Sequence, residues 1–363
     1  MPWLNYIQSH GRVHALGHSI GDYFPPYYGL LALSSYLPIS YLSKIKIVSF
    51  VFDLFAAFWA SQIVRLVNRE DSARFRSVPA IPMALIVLSL PSLFLDSAVW
   101  GQCDSIYSSM LLGSLYCVMR GMPIFACVFF GLAMSFKMQA VFFVPVLLLC
   151  LVRKRILWWH TLFAPAAWLL TMTPYLYMGG TLQAIVDTMK KQGRLFPWPA
   201  LNVANPWEFI MYFHWDEFNH ADSLWSKLGL VLTAAVIAWL VWVGRKRYKP
   251  GAAWMLGFAA ASMTAVPYVM PRMHERYFLP AQLCLVILAC CRRGFVIPAV
   301  LLELAMLLHY ANYFNNLPNT LIMTALLAST GALLILLEHL RSPGGFDLGF
   351  FAQPEDGCEG ATV

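Results

Sequence analysis

Long apolar runs, separated by short loops that carry arginine and lysine, dominate the chain from residue 47 to residue 340. About 20 consecutive apolar residues are enough for a helix to cross the hydrocarbon core of a bilayer. The chain is 60% hydrophobic and only 12% charged, whereas soluble domains carry roughly 25% charged residues. The sequence therefore predicts an all-α polytopic membrane protein.

Eleven of the apolar runs are candidate transmembrane helices. Several are shorter than average, so we expect tilted or broken spans. A further apolar run at residues 27–42 is too short to cross, and we predict an interfacial or re-entrant helix on the outer face. The predicted spans are residues 47–67, 78–95, 105–119, 123–136, 138–152, 156–178, 227–244, 251–270, 278–291, 294–312 and 319–340.

Basic residues occupy every second loop between these runs. Because cytoplasmic loops are enriched in lysine and arginine, we predict that these loops face the cytoplasm. The net charge of +7 is then explained by membrane orientation, and nucleic acid is not indicated as a partner. The basic loops hold Arg65, Arg69, Arg74 and Arg76, then Arg120, then Arg153 to Arg155, then Arg245 to Lys249, then Arg292 and Arg293, and finally Arg341.

The same alternation of basic loops divides the chain into three predicted parts. Residues 1–44 form an outer first-loop segment, residues 45–340 the transmembrane domain with a long outer loop at 179–226, and residues 341–363 a disordered cytoplasmic tail. In the long loop, QAIVDTMKKQGRL has the pattern of a helix lying on the membrane surface. Because residues 1–44 are polar and no span precedes them, we expect that a first transmembrane helix is missing from this chain.

Two polar motifs flank a pair of short apolar runs. WGQCD contains Gln102 and Asp104, and the next run ends at Lys137 and Gln139. Two consecutive spans return the chain to the same side, so these groups should lie near each other. In membrane proteins, charges at this depth usually line a cavity or pair with one another. Asp104 and Lys137 could therefore belong to a binding site or form a purely structural salt bridge.

Two further motifs fall on the predicted outer face. PRMHERYFLP holds Arg272, His274, Glu275 and Arg276 at the point where a span resumes, although it could also be a solvated polar loop. GDYFPPYYG holds Asp22, and its two prolines favour an extended entry to the interfacial helix. Cationic side chains near membrane headgroups suit a phosphate or pyrophosphate, and carboxylates suit sugar hydroxyls. A lipid-phosphate-linked substrate satisfies both preferences.

No metal or cofactor site is indicated. The eight cysteines show no CxxC spacing, and most lie in apolar runs, where they are packing residues. His10, His14 and His18 recur every four residues, but no carboxylate or cysteine completes a ligand set. Asp53 and Glu303 lie deeper in their spans and could be buried hydrogen-bond partners or functional groups.

The motifs WGQCDSIY, SFKMQAVFFVP and PRMHERYFLP, with GDYFPPYYG upstream, resemble those of GT-C type membrane glycosyltransferases. The likeness, which covers residues 1–310, is to bacterial mannosyltransferase-like members and, more distantly, to the dolichyl-phosphate-glucose glucosyltransferases of the endoplasmic reticulum. Transferases of this type take a sugar from a polyprenyl-phosphate donor at the outer leaflet. The resemblance implies a GT-C type fold with inverting transfer of mannose or glucose to a glycan, lipid or protein acceptor.

The resemblance also assigns roles. Asp22 matches a supporting aspartate of the family, while the family's catalytic carboxylate lies just after the first helix, at a position that would precede Pro2. We predict that Asp22 and Asp104 are the catalytic carboxylates of this chain. The predicted donor-binding residues are Gln102, Lys137, Gln139, Arg272, His274, Glu275 and Arg276.

Two other classes of function remain compatible with the sequence. A transporter or flippase of lipid-linked sugars would also have many spans and charged rims, although such proteins often show internal repeats and none is evident here. A non-catalytic paralogue would fit the expected loss of the first helix. The asparagines form no N-x-S/T acceptor site, which agrees with a bacterial inner membrane and an active site facing the periplasm.

Overall fold

Helices make up nearly all of the regular structure, as the sequence predicts. The structure, a computed structural model, describes residues 2–18, 20–70, 78–194, 198, 200–203, 205–213, 224–247, 250–316 and 318–341. The predicted tail beyond residue 341 lies outside these residues. Within them, the α-helices are α1 Pro2–Ser9, α2 Pro25–Ser34, α3 Tyr41–Glu70, α4 Ala80–Leu88, α5 Pro91–Phe94, α6 Asp104–Met119, α7 Pro123–Phe136, α8 Val144–Val152, α9 Phe163–Tyr177, α10 Leu182–Arg194, α11 Pro206–Phe213, α12 Leu224–Arg245, α13 Ala252–Val269, α14 Leu279–Cys291, α15 Val296–Asn315 and α16 Asn319–Arg341.

Shorter elements join these helices. A π-helical turn, Leu95–Trp100, continues from α5, and 3₁₀ turns precede α8 and α9 at Met138–Phe143 and Trp158–Leu162. Two-residue strands, β1 Ala200–Leu201 and β2 Met273–His274, pair in parallel. The long loop that follows α10 is therefore tied by backbone hydrogen bonds to the segment that precedes α14.

Five helices in the described ranges are long and apolar enough to cross a membrane. They are α3, α12, α13, α15 extended from Arg293, and α16 from Thr320, and a bent pair running from Ala80 to Trp100 would be a sixth. Three other apolar helical segments, Pro123–Phe136, Met138–Val152 and Leu279–Cys291, are shorter. The protein is thus a multi-pass membrane protein, but the predicted count of eleven spans is not confirmed.

The predicted span at 78–95 is broken. Leu90 has an extended backbone (ψ 120°), and Pro91 starts the next helix at a position where the missing proline N–H costs no hydrogen bond. The two halves are bent by 50°. This break turns the second half, which carries Asp96 and ends at Trp100, toward α15: Ser92 donates two hydrogen bonds of 2.8 Å to Glu303.

The predicted interfacial helix at 27–42 is shorter than expected. Helix α2 has 10 residues, which span about 15 Å and cannot cross the hydrocarbon core. Tyr41 and Leu42, assigned to this helix from the sequence, instead begin α3. A turn around Pro38 separates the two helices, because the residue before a proline disfavours the helical conformation.

Small residues allow the helices around the polar motifs to approach closely. A Cβ on Gly131 of α7 would lie 2.2 Å from the carbonyl oxygen of Ala164 in α9, and one on Gly113 of α6 would touch Trp59 of α3. Helix α13, rich in alanine, is the most buried of the five long helices, with 83% of its residues buried inside the protein. Close packing of this kind is typical of membrane bundles.

The N-terminal segment packs over one end of this bundle. Leu4, Tyr27 and Leu31 share a buried cluster with Cys103 and Phe136, the residues directly before Asp104 and Lys137. Nearby, Phe24 packs with Met172 and Tyr175 of α9 and Ile185 of α10. The first loop and the amphipathic helix α10 therefore cover the bundle end at which the sequence motifs lie.

Candidate functional site

Three distant segments meet at one buried carboxylate. Asp104 opens α6, Lys137 follows the last residue of α7, and Arg276 lies between β2 and α14. The Nζ atom of Lys137 is 2.6 and 2.7 Å from the two Asp104 oxygens, and Nε of Arg276 is 3.0 Å from Oδ2. The prediction that these motifs share one end of the bundle is confirmed.

The α6–α7 hairpin explains why the first two groups meet. After α6, Gly121 adopts a left-handed backbone (φ 70°), which glycine accepts without a steric cost, and Pro123 starts α7. Helix α7 then returns the chain and ends at Lys137, whose extended backbone (φ −153°, ψ 131°) stops the helix. Arg120 consequently lies at the opposite end of both helices from Asp104.

Arg276 links two carboxylates. Its Nη1 atom donates a 2.6 Å hydrogen bond to Glu275, while Nε faces Asp104. The Asp104 side chain is fully buried, and those of Lys137 and Arg276 are 8% and 14% exposed. Buried charges are tolerated only when they are well paired. The cluster therefore presents its two cations, and not Asp104, toward the remaining accessible side.

Aromatic rings surround both cations. The Arg276 guanidinium lies 5.1 Å from the Trp100 ring centre, and Lys137 Nζ lies 5.2 Å from Tyr277 and 5.7 Å from Tyr107. Cation–π contacts of this kind hold a desolvated positive charge without neutralising it. Trp100 and Tyr277 were not among the predicted site residues, although both lie inside the motifs WGQCD and PRMHERYFLP.

His274 is an uncharged member of the site near neutral pH. Its Nδ1 atom lies 3.7 Å from Glu275. Burial lowers the pKa of His274, and this outweighs the opposing effect of Glu275. Burial raises the pKa of Glu275, but interaction with His274 and the charge of Arg276 lower it further, so its pKa lies below the ordinary value. His274 can therefore donate or accept a hydrogen bond, but the cationic role expected from the sequence falls to Lys137 and Arg276.

The long loop holds the His274 segment in place. In the β1–β2 pair, Leu201 lies opposite His274, and Trp207 Nε1 donates a 2.6 Å hydrogen bond to the Val269 carbonyl. Arg272, directly before β2, is half-buried with a left-handed backbone (φ 65°). Such conformations are costly for residues other than glycine and often mark functional segments.

Gln102 connects the first loop to the site. The Tyr23 hydroxyl donates to Gln102 Oε1 at 3.4 Å, and Ser49 of α3 donates to the Gln102 carbonyl at 2.5 Å. Burial raises the pKa of Tyr23 well above its ordinary value, so Tyr23 is a neutral donor. Gln139 lies two residues beyond Lys137, and its Oε1 atom is buried without a hydrogen-bond partner among the described residues.

Asp22 faces a different neighbour. Its carboxylate pairs with Lys191 of α10 at 2.5 Å, and its backbone carbonyl accepts a 2.6 Å hydrogen bond from Gln192. The contacts of Asp22 thus join the first loop to α10, whereas those of the next residue, Tyr23, reach the site. A catalytic role for Asp22 remains a prediction.

Sequence reasoning missed one carboxylate altogether. Asp96 is fully buried on the π-helical turn that ends at Trp100, and it lies within electrostatic range of Asp104, Arg276 and Lys137. The predicted span ended at residue 95, so Asp96 fell just outside it. A carboxylate at the end of an apolar run, five residues before Gly101, was the signal that could have identified it.

Comparison with protein families agrees with this geometry. The profile of glycosyltransferase family 87 matches residues 23–271, which include Asp96, Asp104 and Lys137 and stop just before Arg272. No match was found among curated proteins. Since the matched region covers more than half of the chain, the protein is a membrane glycosyltransferase that belongs to glycosyltransferase family 87.

Proposed function

We propose that this protein is a GT-C type enzyme that transfers a hexose, mannose or glucose, from a polyprenyl-phosphate donor to an acceptor. Transfer would take place with inversion at the outer face of a bacterial inner membrane. The acceptor would be a glycan, lipid or protein on that face. The observation that carries the proposal is the Asp104, Lys137 and Arg276 cluster at one end of an apolar bundle.

The cluster suits a phosphate attached to a lipid. Two cationic side chains, Lys137 and Arg276, lie at the accessible side of the cluster, and Arg276 can offer phosphate oxygens the N–H groups that do not face Asp104 or Glu275. The bundle around them is apolar and of membrane dimensions. A phosphate bound there would leave its polyprenyl chain in the bilayer, and the sugar would lie on the polar side.

In this proposal, Lys137 and Arg276 provide most of the electrostatic stabilisation of the departing phosphate. As the bond between the sugar and the phosphate breaks, negative charge grows on the departing phosphate, and fixed cations stabilise it without rearrangement. Asp104 and Glu275 hold Lys137 and Arg276 in place, and His274 adds a neutral donor. Gln102, Gln139 and Arg272 would orient the sugar and the loops, and Asp22 would fix the first loop through Lys191.

The basic loops support an outer-facing site. Arg120 and Arg153 to Arg155 lie at the helix ends opposite to Asp104 and Lys137. If those loops are cytoplasmic, the cluster faces the periplasm.

The test uses the purified full-length protein in proteoliposomes with radiolabelled polyprenyl-phosphate mannose or glucose and a membrane lipid extract as acceptor source. We expect labelled product, with the anomeric configuration inverted relative to the donor. Arg276→Ala should abolish transfer, and Arg293→Ala, in the opposite loop, should not. Movement of the donor between leaflets without a covalent product would instead indicate a flippase, and neither activity would indicate a non-catalytic paralogue.

A further inference from the structure

A cavity lies at the end of the helix bundle opposite to Asp104 and Lys137. Its volume is about 420 Å³, which is within the range of small-molecule binding sites, roughly 300–1,000 Å³. Its walls come from the end of α6, the turn into α7, the start of α7 and the end of α8 with the residues that follow it. The cavity is therefore separate from the site described above.

Two arginines give this cavity its charge. Arg120, directly after α6, and Arg155, three residues after α8, both line it, and no carboxylate does. In the sequence, no aspartate or glutamate occurs between Asp104 and Asp187. Among the residues that the structure describes, neither arginine forms a salt bridge. Membrane orientation explains cations in these loops, but it does not require a cavity between two arginines that have no counter-ion.

The start of α7 adds a third positive group to the same cavity. Met122 and Pro123, which line it, are the N-cap and the first residue of this 14-residue helix. The side chain of Met122 makes no capping hydrogen bond, so it satisfies none of the N–H groups of the first turn. The N-terminal end of a helix carries about half a positive charge and favours anions. Together with two guanidinium groups, which match phosphate oxygens in geometry, it favours a phosphate ligand.

Exposed tryptophans place the cavity at the depth of lipid headgroups. Trp158 and Trp159 follow closely after Ile156, which lines the cavity, and they are 73% and 40% exposed. Tryptophan is enriched where a membrane meets water. From the cavity, exposed apolar side chains continue along α7 and α8, at Phe125 and Val152. The acyl chains of a lipid whose headgroup enters the cavity would pack against these side chains.

We propose that this cavity binds the phosphate of an anionic phospholipid from the membrane leaflet at this end of the bundle. Arg120 and Arg155 would contact the phosphate oxygens, and the start of α7 would face them. Basic pockets between transmembrane helices on the cytoplasmic side bind anionic headgroups such as that of cardiolipin. A zwitterionic headgroup fits less well, because its ammonium group would lie beside two arginines in a cavity that no carboxylate lines. The bound lipid would hold the α6–α7 turn against α8, and this hairpin carries Asp104 and Lys137 at its other end.

The test uses the purified full-length protein, stripped of lipid in detergent, and compares phosphatidylglycerol and cardiolipin with phosphatidylcholine. Native mass spectrometry should show retained anionic lipid at a fixed stoichiometry. The unfolding temperature should rise with added phosphatidylglycerol or cardiolipin, because a ligand that binds the folded state stabilises it, and phosphatidylcholine should have little effect. Sodium phosphate and glycerol 3-phosphate, which have no acyl chains, should not raise it. Equal stabilisation by phosphatidylcholine, or by the soluble phosphates, would overturn the proposal.

Matched variants locate the binding. Arg120→Gln/Arg155→Gln should weaken the binding of phosphatidylglycerol about 30-fold, which is about 5-fold for each arginine near an anionic headgroup. Arg293→Gln/Arg341→Gln removes the same charge from exposed positions that do not line the cavity, and it should change binding little. Equal weakening in both variants would show a general attraction to the basic surface, and unchanged binding in the first would show that the cavity is not the site; either result would overturn the proposal.

The comparison of lipids on the wild type does not depend on any variant. It therefore decides the proposal even if the arginine variants fold poorly. The unfolding temperatures of the lipid-free variants serve as the check on folding, and they should match that of the wild type because the replaced side chains are exposed. No readout requires sugar transfer, so failure of this proposal and failure of the proposed function are distinguishable.

Discussion

Lys137 Nζ reaches both carboxylate oxygens of Asp104, at 2.6 and 2.7 Å, although 33 residues separate them in the chain. The pair is buried, so neither group can regain water if the other is removed. Breaking a buried ion pair by removing one partner typically costs about 3–5 kcal/mol, whereas removing both together costs much less. The losses of stability caused by replacing Asp104 and by replacing Lys137 should therefore be coupled, and this coupling can be measured.

We expect Lys137→Met and Asp104→Asn each to destabilise the protein by about 3–5 kcal/mol, and the double variant to lose less than the sum. Thermal unfolding of the detergent-solubilised chain would measure this. Asp187→Asn, whose side chain lies on the exposed face of α10 beside Gln183, is the control and should change little. Strictly additive losses would mean that the two side chains are not coupled.

Arg276→Lys should show that the shape of the guanidinium matters as well as its charge. A lysine ammonium carries its three N–H donors on one nitrogen, so it cannot reach Asp104 and Glu275 from two separate nitrogens, as Nε and Nη1 of Arg276 do. If the proposed function holds, kcat should fall by about 10²-fold, the usual loss when one transition-state donor is removed. Initial rates with saturating donor would measure kcat. A lysine variant with wild-type kcat would argue against a role for Arg276 in bridging Asp104 and Glu275.

The position of the charged site could be predicted from the sequence because two consecutive helices always return the chain to the same end of the bundle. Asp104 begins one apolar run and Lys137 ends the next, so any hairpin of two helices brings them to one end. The PRMHERYFLP motif followed from the same alternation. Their contact distances depend on side-chain packing, which periodicity does not reveal.

Asp96 and the broken second span could not be predicted in the same way. An apolar run indicates that a segment is buried. It does not reveal that Pro91 bends the segment by 50° or that a π-helical turn extends it to Trp100. The pairing of Asp22 with Lys191 is also a tertiary contact, between the first loop and α10. Such contacts depend on the whole fold, and the motif that contains Asp22 carries no sign of them.

Gly131→Ala should destabilise the α7–α9 contact. The added Cβ would lie 2.2 Å from the backbone carbonyl oxygen of Ala164, which cannot move without shifting α9. Overpacking of this kind costs about 1–3 kcal/mol or more. Gly29→Ala, on α2, is the matched control, because nothing lies within 4 Å of its Cβ position. Thermal unfolding should show a lower unfolding temperature for Gly131→Ala only. Equal unfolding temperatures for the two variants would indicate that α7 and α9 are farther apart than the structure shows.

The pH dependence of stability should report on His274. Burial lowers its pKa in the folded protein below 6.5, so the unfolded chain binds a proton first as the pH falls. Stability attributable to neutral His274 is therefore complete above pH 6.5 and decreases as the pH falls toward the lowered pKa. His274→Gln removes this titration, so the difference in unfolding temperature between wild type and variant should shift in favour of the variant from pH 7.5 to pH 5. A difference that stays constant would show that folding leaves the pKa of His274 unchanged, and a shift in favour of the wild type would show that His274 is charged and paired with Glu275 in the folded state.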